Sequence, residues 1–154
     1  MVKTFSKKDI NENLRQVMNL NLQISTKTEE LSRWREISEK TAGIAYSHAK
    51  SGIRGGSRVE DCILKIDAIE RAIKTDVENL MLLKERISRI IERISDPVCK
   101  SLLSLRYLNA MSWEQVAEFM NYSYVHIVHR LHPKALDKFN DLYSQASANS
   151  EGGI

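Results

Sequence analysis

The sequence predicts an all-α protein: a long antiparallel helical hairpin followed by a small helix-turn-helix domain. Three observations lead there. Six Gly and two Pro in 154 residues are too few for the many turns of an all-β chain. Apolar residues recur every seven positions through the first two thirds of the chain, which is the pattern of helices packed lengthwise on one another. The last third holds short helical patterns, each opened by a capping residue.

The first helix is expected from about residue 7 to residues 45–50. Ile10, Val17, Ile24 and Leu31 repeat at seven, joined by Leu14, Leu20, Trp34 and Ile37. The repeat is imperfect at Asn21 and Thr28, and Ser25 to Thr28 is a place for a bend or break. The stretch 51–57, SGIRGGS, carries three glycines and reads as the reversal. Ser57 and Glu60 form a capping box for the second helix. Val59, Ile66, Ile73, Leu80, Ile87 and Ile94 then repeat at seven without a miss, and Ile63, Val77 and Ile91 fill much of the companion position. This column is the expected oligomerisation seam. The helix ends at Asp96-Pro97, after about 37 residues or roughly 55 Å.

Asp96 caps a third helix with Pro97 at its first position. Its stripe is Val98, Leu102, Leu105 and Leu108, and Asn109-Ala110 ends it. Ser112 and Gln115 make a capping box for the next helix, whose Val116, Phe119 and Met120 lie on one side. Asn121-Tyr122 is a turn, and Ser123 caps the last helix. The domains expected are 1–95, the hairpin; 96–144, the helix-turn-helix; and 145–154, a polar, small-residue tail expected to be disordered.

In a helix-turn-helix the second helix presents its N-terminal half to the DNA major groove. From Phe119 through Leu136 there is no acid, whereas Arg130, Lys134 and three histidines are present. At about 100° per residue, Val128, Leu131 and Ala135 fall inward, and His126, His129, Arg130 and Pro133 fall outward. Arg130 is placed to read guanine O6 and N7. His126 and His129 are candidate donors to bases or phosphates. Tyr124 sits where it touches a phosphate or a thymine methyl, and the amides after Ser123 offer a phosphate site. Lys134 and Lys138 are expected to grip phosphates, which position the protein without specifying sequence. Val125 and Ile127 leave apolar side chains where polar readers are common. Pro133 should kink or stop the helix.

Residues 107–139, with Trp-Glu-Gln-Val-Ala at 113–117 and Lys-Ala-Leu at 134–136, resemble the fourth region of bacterial sigma factors. The coiled coil joined to this unit resembles small sigma-like proteins of phages and prophages, and the ArpU and RinA types of late-gene transcription regulator. The resemblance implies a transcription regulator acting on double-stranded DNA as a homodimer or higher homo-oligomer. It implies RNA polymerase as a further partner. An adaptor between proteins and a DNA-packaging recognition subunit are the competing expectations.

No enzyme is expected. The glycines at 52–56 lack the Lys-Ser/Thr of a phosphate loop, and no catalytic triad or carboxylate pair can be placed. Neither a cofactor nor a metal is expected: His126, His129 and His132 lack a fourth ligand nearby. Cys62 and Cys99 lack metal spacing and read as buried thiols of a reducing cytoplasm. The net charge of +3 is only a weak lean toward anionic partners. The segment MVKTFSKKD has no apolar signal-peptide core, and no apolar run approaches the ~20 residues of a membrane span. The protein is therefore expected in the cytoplasm, the host's if phage-encoded.

Overall fold

The computed structural model describes residues 10–50 and 56–151. These are helical, with no strand among them. Helix α1 spans Glu12–Lys50, α2 Gly56–Glu92 and α3 Pro97–Leu103. Helix α3 runs on into a π-helical turn at Ser104–Leu108; α4 is Trp113–Met120 and α5 Tyr124–His126. A second π-helical turn, Ile127–Leu131, joins α5 to α6, His132–Glu151.

Asn11 opens α1: its side chain accepts from the Asn13 amide at 2.9 Å and its carbonyl from the Arg15 amide at 3.1 Å. The break expected at Ser25–Thr28 does not occur. The Thr26 and Thr28 hydroxyls donate back to the carbonyls of Leu22 and Ile24, so these residues stay in the helix without leaving a donor unpaired. Helix α2 begins at Gly56, one residue ahead of the expected cap at Ser57. The Ser57 side chain and most of the reversal, 51–55, lie outside the described residues.

The chain divides into two compact units. One holds residues 20–80; the other joins 10–19 to 81–151. The expected boundary at residue 96 thus falls inside the second unit. In the first unit α1 and α2 run antiparallel, as their ion pairs require: Lys27 with Asp76, Arg35 with Glu70 at 2.8 Å and Glu30 with Lys65 at 3.9 Å. Leu20, Leu31, Cys62, Ile69 and Leu80 are buried there.

The seven-residue column of α2 does not keep one environment. Val59, Ile66 and Ile73 are half-buried; Leu80, Ile87 and Ile94 are buried within their own chain. The register three residues on holds the buried positions along the whole helix, Cys62, Ile69, Leu83 and Ile90, and Val59, Ile66 and Ile73 lie at its edge. Of the expected seam, only Val59, Ile66 and Ile73 retain exposed surface.

The second unit packs α3 and α6 together with the two π-turns and α4. Its core contains Leu14 and Val17 of α1, Ile87 and Ile91 of α2, Cys99, Leu102 and Leu103 of α3, Val116, Ile127, Leu136 and Phe139. Fully burying each such side chain contributes about 1.5–3 kcal/mol. The tail expected to be disordered is instead helical through Glu151. No Gly or Pro interrupts it before Gly152, and Ser144, Ser147 and Ser150 donate to the carbonyls four residues earlier.

Candidate nucleic-acid interface

Each helix of the candidate motif is locally specified. The Asp96 carboxylate accepts from the amides of Val98 and Cys99 at 3.0 and 3.3 Å, with Pro97 at the first helical position. Ser112 accepts from the Gln115 amide at 3.2 Å while Gln115 accepts from the Ser112 amide at 2.9 Å, a reciprocal box that satisfies two orphan donors. Asn121 ends α4 in the left-handed region, φ 59° and ψ 41°, a conformation its side chain type tolerates. The Tyr122 amide returns to the Ala117 carbonyl. Ser123 then caps α5, accepting from the His126 amide at 3.2 Å. Helix, left-handed turn and capped helix follow within fourteen residues, as a helix-turn-helix requires.

Past the cap, Tyr124 and Val125 are exposed, Val125 to 64%. His129 and Arg130 are exposed as well. His126 is half-buried and stacks on Tyr122, with ring centroids 5.2 Å apart. Tyr124, His129 and Arg130 are thus each exposed within one short stretch, with the Ser123 hydroxyl committed to its cap.

Several expected placements are corrected. Ile127 is fully buried rather than exposed. Val128 and Leu131 are only half-buried, and Pro133 is buried rather than outward. One feature explains the placements that follow Ile127. Across Ile127–Leu131 the turn is π-helical, and the His132 amide reaches the Ile127 carbonyl, five residues back. The wide turn takes one extra residue, so every later side chain slips by about one position, roughly 100°. The inward set becomes Ile127, His132, Ala135, Leu136 and Phe139. The same widening admits the ring of Pro133, so the helix continues where a kink or stop was expected. In α4, Phe119 is 70% exposed instead of facing the core.

The lysines differ too. Lys134 pairs with Asp96 at 3.1 Å. Lys134 holds the Asp96 carboxyl down at about 2, helped by the amides of Cys99 and Val98. Its ammonium thus also serves the α3 cap. Lys138 is half-buried. His132 carries no positive charge into this surface: burial, with the Arg106 charge nearby, depresses it to about 4.

Sequence reasoning missed a polar cluster behind this helix. Tyr107 and His132 share a buried hydrogen bond of 2.8 Å between the hydroxyl and Nε2. Burial pushes the Tyr107 hydroxyl up to about 12. Trp113 meets the His132 ring edge-on, centroids 4.4 Å apart, and the Arg106 guanidinium lies 4.5 Å from the centre of the Trp113 ring. Twenty-five residues separate Tyr107 from His132, so no local spacing announces the pair. Both cysteines are buried and free. Among the described residues no group of His, Cys, Asp or Glu could hold a metal, and no helix is long and apolar enough to cross a membrane.

A family model matches residues 45–140, more than half of the chain. The chain belongs to the DUF1492 family. That family is described as a protein of unknown function. The match spans the end of α1, all of α2 and the helix-turn-helix arrangement through Asn140. Searches of curated proteins and of solved structures found no match.

Proposed function

We propose that this DUF1492 protein is a DNA-binding transcription regulator, phage or prophage encoded and acting in the bacterial cytoplasm. One observation carries the reading: two capped helices joined by the left-handed Asn121 expose Tyr124, His129 and Arg130 at the start of the second. The absence of acids from Phe119 through Leu136 suits that face to a polyanion. Arg130 supplies the fork for a guanine edge, and Tyr124 and His129 supply flanking contacts. Oligomers form through the exposed apolar side chains of α2, Ile63 and Val77, beside the half-buried Val59, Ile66 and Ile73. A dimer then reads half-sites about 34 Å apart or a multiple of it. Selection of bound sequences from random DNA, with the mass measured on the same sample, tests this. The expected result is an enriched two-part motif and a dimer. No enriched motif together with no retardation at low salt overturns it.

A second reading is favoured by Phe119 and Val125, apolar and exposed to 70% and 64%. Here the unit docks on RNA polymerase as an adaptor. Recovery of polymerase on the immobilised protein after nuclease treatment, lost in Phe119→Ser, selects this reading.

A further inference from the structure

The second unit contains a pocket of about 400 Å³, lined in part by the Tyr107–His132 pair described above. All of its lining residues belong to that one unit. The size lies within the range of small-molecule sites. Met18, Trp113 and Val128 contribute apolar walls, whereas Arg15 and Arg106 bring two guanidinium groups, and no carboxylate lines it.

Arg106 is the unusual member. It is half-buried, and desolvation pulls it below the usual arginine range. One terminal nitrogen donates to the Met111 carbonyl at 2.7 Å; Nε is shut off from solvent without a hydrogen-bond partner, so a ligand in the pocket meets the guanidinium at its terminal nitrogens. Among the described residues it forms no ion pair with an acid; the Trp113 ring and the Glu114 carboxylate, acting at a distance, offset only part of its desolvation. A desolvated cation is costly unless an anion lies near it. Arg15 makes only a loose contact, 3.4 Å, with the exposed Glu12. His132 is neutral and Tyr107 protonated near neutral pH, so neither supplies the missing negative charge.

We propose that this pocket binds a small amphipathic carboxylate, its acid group at Arg106 and Arg15 and its hydrocarbon body against Trp113, Met18 and Val128. Val128 lies in the π-turn that follows Tyr124–His126, so such a ligand touches the inner side of the candidate reading helix. The site goes beyond DNA reading and is testable without DNA.

The test uses the full chain with Trp34→Phe, which leaves Trp113 as the single tryptophan reporter. The probes are 4-phenylbutyrate, octanoate and cyclohexylacetate, each beside its primary amide. The expected result is a saturable change in Trp113 emission with at least one acid. The amide should bind about tenfold more weakly, the loss of one charge-assisted hydrogen bond. Arg15→Gln should weaken the acid and leave the amide unchanged, with melting confirming the fold; Arg106→Gln should do so more strongly. Val128→Phe, which fills the pocket, should abolish both. No saturable change with any acid at millimolar concentration overturns the proposal. So does equal affinity for acid and amide, or binding that survives Val128→Phe. Because no DNA is present, failure of the regulator reading leaves this result unaffected.

Discussion

Replacing His132 with Phe should remove a specific part of the protein's sensitivity to acid. In the folded chain His132 sits at about 4, below its ordinary 6.5, because it is buried. Below pH 6.5 the unfolded chain takes up a proton that the folded chain refuses, so stability falls as the pH drops from 6.5 toward 4 and then levels off. Between pH 7 and pH 5 the two values imply a loss of about 2 kcal/mol. Urea unfolding followed by circular dichroism at both pH values measures it. Wild-type should lose about 2 kcal/mol more than His132→Phe over that interval, after each is referred to its own stability at pH 7. The variant will itself be less stable at pH 7, since the Tyr107 hydroxyl loses its partner at a cost of about 1–3 kcal/mol. Tyr107→Phe serves as a control: it breaks the hydrogen bond but keeps the buried imidazole, and so should retain the acid loss. Equal pH dependence in wild-type and His132→Phe would refute the argument.

Other expectations follow from single residues. Ala110 has φ 55°, a region that costs a residue with a side chain about 1 kcal/mol; Ala110→Gly should raise stability by about 0.5 kcal/mol in denaturant unfolding, the gain being reduced by a freer unfolded chain. Arg130→Ala should lower discrimination between selected and scrambled DNA by about 1–3 kcal/mol in competition binding, whereas Lys134→Ala should leave the salt dependence of DNA binding nearly unchanged because its charge is held by Asp96. Ile87→Ala, in the core, should cost about 2–5 kcal/mol of stability. Ile63→Asp, on the exposed side, should instead shift the mass toward monomer in light scattering with little change in melting.

The helices that could be read from the sequence are those whose ends are marked by local chemistry. Asp96, Ser112 and Ser123 each cap where their spacing indicates, because a cap depends on amides two or three residues away. The long repeats identified α1 and α2 for a similar reason. What failed was phase. Extrapolation at 100° per residue placed Val128 and Leu131 inward and Pro133 outward, and it broke at the wide turn of Ile127–Leu131. Nothing in the residues 127–131 announces a π-turn; Pro133 was the only hint, and it was equally consistent with a stop. The α2 column does not keep one environment because a parallel register of the same spacing, Cys62, Ile69, Leu83 and Ile90, takes the buried face. The Lys134–Asp96 pair spans 38 positions and the Tyr107–His132 pair 25, so no local spacing shows either. The tail was misread from composition: serines that favour loops also close bonds to the preceding turn.

Leu14 and Val17, near one end of the chain, are sealed into the same core as Leu136 and Phe139, near the other. During synthesis the ribosome makes the first pair long before the last. The last helices therefore have no finished support until both stretches have been made. A fragment cut at Asp96 would lack Leu14, Val17, Ile87 and Ile91, and would carry the motif on an open, unfilled interior. Copies clipped there would thus lose the packing that holds the last helices, rather than keep a free-standing domain.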